Sequence, residues 1–171
     1  NPLYTPRELK EQLADAGATV IVIMENFAHK LESIIAETEI RHVVVARLGD
    51  FMPPLKSALL NFANTYIRRA VPPWRFQNFT MLQAACRRAP STRYADARPQ
   101  AKAPALLQYT GGTTGVPKGA IITHRNLVAN VLQATATIDV LDGDVVLGVL
   151  PFFHIYGMSV IMNASLYTGA T

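Results

Sequence analysis

The sequence predicts an α/β fold in which a parallel-rich sheet is flanked by helices. Three observations carry that expectation. The first 46 residues alternate helix, strand, helix, strand at spacings that suit right-handed βα units. The strand candidates "ATVIVIM" and "RHVVVAR" are continuous β-branched runs, as expected of strands covered on both faces. Further on, "ALLQY" and "KGAIIT" bracket a glycine- and threonine-rich stretch, as a strand and its return would.

The elements follow in order. "YTPRELKEQLADAG" carries helix punctuation: Thr5 as N-cap, Pro6 at the first helical position, Glu8 completing a capping box, and Gly17 closing the helix in a left-handed conformation. Leu9 and Leu13 share its apolar face. "ENFAHKLESIIAETE" reads as a second amphipathic helix with Phe27, Leu31, Ile34 and Ile35 inward. Residues 47–105 are less regular. "PPLKSALLNFANTYIRRA" puts Leu55, Leu59, Phe62 and Tyr66 on one helical stripe, "VPPWRF" breaks it, and "FTMLQAACRRA" suits a short helix. Two readings of this stretch stand. A packed insertion is preferred, because an apolar stripe is ordinarily core. A contact of Phe51, Trp74 and the basic end with an anionic membrane surface is the alternative. After the second strand pair, "HRNLVANVLQATATI" is a helix capped by Thr123. "DVVLGVLP" is another buried strand, and "FFHIYGMSVIMNASLYTG" opens a buried helix.

Composition narrows the function classes. The chain has 171 residues and a net charge of +4; apart from one cluster, Arg68, Arg69, Arg75, Arg87 and Arg88, its basic residues are scattered, which is no nucleic-acid footprint. Cys86 is the single cysteine, so no internal disulfide forms, which suits a reducing compartment. The run Pro151–Ala170 is free of Asp, Glu, Lys and Arg, but it carries His154, Asn163 and several hydroxyl side chains and reads as a buried helix rather than a membrane span. Asn1 at the start and the turn-like "LYTGA" before Thr171 suggest a piece of a longer protein, some of whose apolar surface faces the remainder.

The stretch "YTGGTTGVPKG" has the chemistry of an anion cradle. Gly111, Gly112 and Gly115 let backbone amides approach and converge. Thr110, Thr113 and Thr114 add hydroxyl donors, and Lys118 adds a flexible cation. The Walker A spacing fails, since Pro117 precedes and Gly119 follows the lysine; G-x-G-x-x-G fails because Gly111 and Gly112 are adjacent. A ligand-free glycine-rich turn is the plain alternative, although it needs neither the threonines nor the lysine. His154 in "FFHIYG" reads, on sequence alone, as a core histidine. His29, His42 and His124 read as surface or capping residues.

"YTGGTTGVPKGAIITHRN" resembles the phosphate-loop signature of the acyl-adenylate-forming (AMP-binding) superfamily, and "LPFFHIYGM" resembles its next signature downstream. The opening "NPLYTPRELKEQLADAGATVIVIMENFAHKLE" is most similar to bacterial long-chain fatty acid–CoA ligases. The resemblance implies residues 1–171 of a large N-terminal domain, with βα units over 1–46, a helical insertion or loop over 47–105, and the phosphate loop with its following units over 106–171. It implies ATP-dependent conversion of a fatty acid to acyl-AMP and then acyl-CoA, with Mg²⁺ on the phosphates and coenzyme A as co-substrate. Thr110 to Gly115 would wrap the β- and γ-phosphates, with Lys118 near the departing pyrophosphate and Thr114 the residue that reaches a phosphate-bound Mg²⁺. His154 would sit beside the acyl carboxylate, and Phe153, Tyr156 and Met158 would line the start of the acyl channel. The implied location is cytoplasmic, with peripheral contact at the inner face of the cell membrane. Another adenylate-former (an aryl-CoA ligase or amino-acid adenylation domain) and a non-catalytic nucleotide-binding or structural segment remain alternatives. The family's later motifs have no counterpart here, so the segment alone is expected to be inactive.

Overall fold

The computed structural model describes residues 1–89, 97–110 and 118–171. Two compact units divide the chain, Asn1–Ala95 and Asp96–Thr171.

In the first unit, helix α1 spans Pro6–Asp15, strand β1 Val20–Met24, helix α2 Ala28–Glu32 and strand β2 His42–Ala46. Helix α3 spans Pro54–Phe62, strand β3 Thr80–Met81 and helix α4 Leu82–Arg88. The strands form a parallel sheet in the order β1-β2-β3, with Val22 opposite Val44 and Val44 opposite Thr80. The α1 punctuation is as the sequence suggests: the Glu8 N–H donates to Thr5 Oγ1, the Thr5 N–H donates to the Glu8 carboxylate at 2.8 Å, and Gly17 has φ 57°. Lys30 pins the entry to this helix by donating to the carbonyls of Pro2 and Tyr4.

The core of this unit is Leu31, Ile34, Val43 and Val45, with Leu9, Leu13, Ile21 and Ile23 against it. Burying Leu31 or Val45 fully contributes about 2 kcal/mol each by transfer alone. Three expectations need correction. β1 is covered on one face only: Ile21 and Ile23 pack inward, while Val22 is 61% exposed, the alternation of a half-buried strand. The second helix is broken into α2 and flanking 3₁₀ turns at Glu25–Phe27 and Ile35–Glu37. Ser33 and Thr38 hydroxyls donate to the carbonyls of Lys30 and Ile35 and compete with helical bonding there. Trp74 is half-buried against the core, edge-on to Phe79 and tilted on Phe76, rather than turned outward as the membrane alternative has it.

The α3 stripe is also a correction. A packed insertion turns its apolar side inward, but Leu55, Leu59, Phe62 and Tyr66 are all exposed, Leu55 at 73%. The polar side faces the unit instead. Asn61 Oδ1 accepts the Gly49 N–H at 2.8 Å, and Asn64 is buried in the π-helical turn Ala63–Ile67 that continues α3. A Cβ at Gly49 would lie 2.7 Å from the Ser57 carbonyl oxygen, so the glycine is what lets the helix sit so close.

In the second unit, β4 (Pro104–Thr110) and β5 (Lys118–Thr123) pair antiparallel, and helix α5 (His124–Thr137) follows directly. Thr123 caps α5 through a reciprocal box with Asn126. A π-helical turn over Gly157–Asn163 leads into α6, Ala164–Thr168, which ends at Gly169 with φ 81°. "DVVLGVLP" is not a strand. Val145 is 83% exposed, and the backbone bonds of this end run between Val146, Asp144 and Thr171. An extended run becomes a strand only where a neighbour continues its ladder, and among the described residues Thr171 alone pairs with it, accepting from the Val146 N–H and donating to the Asp144 carbonyl. The last helix is buried only along Gly157, Ser159 and Ala164; Leu166 and Tyr167 face outward.

Candidate functional site

The β4–β5 hairpin sets the geometry of the candidate phosphate site. Leu107 faces Ile121, Gln108 faces Ala120 and Tyr109 faces Gly119 in continuous register, and the last rung joins Thr110 to Lys118. Directly opposed residues of an antiparallel pair hold their Cβ atoms about 5 Å apart. The register therefore places a hydroxyl and an ammonium-bearing side chain side by side, both exposed, where the chain leaves and re-enters the hairpin. A small anion at that mouth meets a cation and a hydroxyl donor together. Gly111, Gly112, Thr113, Thr114 and Gly115 lie outside the described residues.

Gly119 gives this rung its shape. A Cβ there would lie 3.1 Å from Tyr109 Cζ, so the ring lies across the glycine of the opposite strand. On sequence alone Gly119 serves only to break the Walker spacing; its packing role needs the strand register.

His154 lies in the same unit, in a tight turn before the π-helical segment. Its N–H donates to the Pro151 carbonyl at 3.0 Å, and its carbonyl accepts the Met158 N–H at 3.0 Å. The imidazole is tilted against Phe153, with ring centroids 4.6 Å apart. It is exposed, which corrects the reading of a core histidine. Phe153 and Tyr156 are exposed as well, while Met158 is half-buried. Among the described residues, no hydrogen bond or ion pair joins His154 to Thr110 or Lys118.

Gly157 is the residue that sequence reasoning passed over. A Cβ there would lie 2.6 Å from the Pro151 carbonyl oxygen and 3.2 Å from that of Leu150. Only glycine lets the chain fold back closely enough to present His154 on the outside of the turn. The signal was a single glycine in an apolar run, which marks a close backbone approach. His29 also differs from expectation: it is half-buried, with Nδ1 buried and unpartnered among the described residues.

Comparison with known proteins turns this geometry into a family. The family model described as AMP-binding enzyme matches residues 1–171. The chain belongs to the AMP-binding enzyme family. A long-chain-fatty-acid–CoA ligase of Salmonella typhimurium is 42% identical over 170 residues, covering 98% of this chain and 30% of that protein. One of Yersinia pestis is 44% identical over 163 residues, covering 94% of this chain and 29% of that protein. The ATP-bound crystal structure of MatB from Rhodopseudomonas palustris superposes with a TM-score of 0.64 at 23% identity, covering 99% of this chain and 28% of that one, and shares the fold. The chain thus spans less than a third of the length of these AMP-binding enzyme relatives.

Magnesium is the metal this family implies. Among the described residues no three His, Cys, Asp or Glu side chains converge on a common point; a magnesium ion carried on ATP phosphates needs only one or two protein oxygens.

Proposed function

We propose that the whole protein of which this chain is part activates a long-chain fatty acid in two half-reactions. In the first, a carboxylate oxygen attacks the α-phosphorus of ATP, the bond to the β-phosphate bridging oxygen breaks, and acyl-AMP and pyrophosphate form. In the second, the thiol sulfur of coenzyme A attacks the acyl carbon, the bond to the AMP oxygen breaks, and the thiol proton leaves to solvent. The observation that carries this reading is the Thr110–Lys118 rung at the mouth of the hairpin, within a chain 42% identical to a long-chain-fatty-acid–CoA ligase.

A carboxylate is a poor acyl donor because oxide leaves badly, and adenylation replaces it with a good leaving group. Charge builds on the β- and γ-phosphate oxygens as pyrophosphate departs. Lys118 and the hydroxyl of Thr110 stabilise it, with the amides and hydroxyls of Gly111 to Gly115 completing the cradle. Thr114 is the residue of this chain assigned to a phosphate-bound Mg²⁺; no step is routed through that ion. His154 orients the acyl carboxylate and offsets its charge, and Phe153, Tyr156 and Met158 begin the acyl channel. The enzyme works in the cytoplasm, in peripheral contact with the inner face of the cell membrane, where its amphiphilic substrate collects. The 171 residues alone do not catalyse, since they span less than a third of each relative.

ATP–pyrophosphate exchange by the full-length protein tests this, run over a panel of fatty, aryl and amino acids. Long-chain fatty acids are expected to support the fastest exchange. Lys118→Ala and Thr114→Ala are each expected to slow it about a hundredfold, with thioester formation from supplied acyl-AMP largely intact. Equal loss in both half-reactions removes the phosphate-loop assignment, and preference for aryl or amino acids removes the substrate.

A further inference from the structure

We propose that the outward face of residues 51–69 is a docking surface for an anionic phospholipid bilayer, an inference that rests on the ligase reading only for its biological purpose. The first observation is the inverted orientation of the helix. A surface helix normally buries its apolar stripe. Here Ser57, Asn61 and Asn64 face the unit. Asn64 donates to Asn26 Oδ1 at 3.4 Å, and Asn26 in turn donates to the Ala70 carbonyl at 2.9 Å. The helix is thus tied down by its polar side and further along by its exit. Leu59, Phe62, Tyr66 and Ile67 are left outward, with Phe62 and Tyr66 rings 5.1 Å apart.

The second observation is charge. Residues 51–95 contain seven of the sixteen basic residues and none of the twelve acidic ones. Lys56, Arg68 and Arg69 are exposed along the same stretch as the stripe. An apolar face edged by cations, with no carboxylate along the segment, complements a surface whose interior is hydrocarbon and whose rim is phosphate. Tyr66 suits that boundary, because its ring is apolar and its hydroxyl polar.

Length fixes the mode. The helical stretch Pro54–Ile67 is about 21 Å long at the usual rise. That is too short to cross a bilayer, and no described helix is long and apolar enough to do so. The segment therefore lies flat, with its apolar face at the headgroup–acyl boundary.

The test uses the full-length protein and flotation with vesicles of phosphatidylcholine, with and without phosphatidylglycerol. The wild type is expected to bind the anionic vesicles and to release them as salt rises. The double substitution Arg68→Gln, Arg69→Gln is expected to weaken binding about thirtyfold at low salt. Leu59→Glu with Phe62→Glu should lower it more than tenfold at every salt concentration. Both variants should keep the wild-type rate of ATP–pyrophosphate exchange on a soluble short-chain acid and the wild-type melting temperature. Equal binding to neutral and anionic vesicles overturns the proposal. So does a fall in melting temperature for Leu59→Glu, Phe62→Glu with vesicle binding unchanged, because the stripe is then covered by the protein's own chain. A dimer that dissociates in that variant, again with unchanged vesicle binding, assigns the face to a second copy. Anionic-vesicle binding that depends on these residues, without exchange on any acid, upholds the docking surface and overturns the ligase reading alone.

Discussion

The ring of Tyr109 lies across Gly119, so that a Cβ on the glycine would come within 3.1 Å of Cζ and 3.3 Å of the hydroxyl oxygen. The two are cross-strand partners, one rung from Thr110 and Lys118. Gly119→Ala therefore forces the ring aside or strains the pair. Overpacking of this kind costs about 1 kcal/mol, which corresponds to about fivefold faster hydrogen exchange of the β4 and β5 amides where the pair opens locally. Tyr109→Leu removes the obstructing ring, so the double variant should recover most of that protection. Additive effects of the two substitutions would show that the ring does not set the fit at Gly119.

Gly157 presents a harder obstacle, because the atoms in its way are backbone. A Cβ 2.6 Å from the Pro151 carbonyl oxygen cannot be relieved by a side-chain rotation. Gly157→Ala must move the 150–156 turn and His154 with it, at a cost of about 2 kcal/mol. In the full-length enzyme it is expected to lower kcat about as much as His154→Ala does, on the order of a hundredfold, while KM for ATP changes little. His154→Ala should leave the melting temperature unchanged, whereas Gly157→Ala should lower it. Full activity in Gly157→Ala would detach the turn's geometry from the chemistry.

The features legible in the sequence are those whose cause is local. Thr5, Pro6 and Glu8 announce a helix start because the hydrogen bonds they make span only three residues, and Gly17 announces its end because few other residues accept its φ. The β4–β5 pair beside the candidate phosphate site was legible too, since short apolar runs, "ALLQY" and "KGAIIT", flank a glycine- and threonine-rich sequence. What was not legible depends on what lies opposite. The runs "VIVIM" and "VVLGV" look alike, but β1 found a five-residue partner in β2, whereas the Val145–Val149 run is met among the described residues only by Thr171, through the Val146 N–H. The orientation of α3 also escaped, because a stripe of leucine and aromatic residues has the same period facing inward or outward. Asn61 and Asn64, which tie the helix down, are unremarkable until Gly49 and Asn26 are seen across from them.

Glu25 and Arg47 connect the ends of β1 and β2. Glu25 is 4% exposed, its Oε2 accepts from Arg47 Nε at 3.1 Å, and its Oε1 has no partner among the described residues. Removing the arginine leaves a buried carboxylate uncompensated. Arg47→Met is expected to cost about 2 kcal/mol, below the usual range for a buried pair because Arg47 is half exposed. Glu25→Gln, which removes the charge and keeps an acceptor, should cost less than half as much. Hydrogen exchange of the β1 and β2 amides reads both. A neutral Arg47→Met would mean that water already compensates the carboxylate.

The Thr5–Glu8 capping box makes the start of α1 sensitive to acid. The Thr5 N–H and hydroxyl both donate to Glu8 Oε2, at 2.8 and 2.7 Å, and hold the carboxyl below its ordinary value of 4.5. The charged form is thus favoured in the folded helix over the unfolded chain. The stabilisation is complete above the unfolded value and fades as pH falls through the lowered folded value, where the carboxyl protonates in both states. Glu8→Gln retains an acceptor and does not titrate. Protection of the amides of residues 8–16, corrected for intrinsic exchange, should be greater in the wild type than in Glu8→Gln at neutral pH. The two should converge as pH drops below the ordinary carboxyl range. Lys30 also favours the charged form, as the smallest of the contributions, so added salt should narrow the neutral-pH difference only slightly. A difference that persisted unchanged into strong acid would show that the carboxylate charge plays no part in the cap.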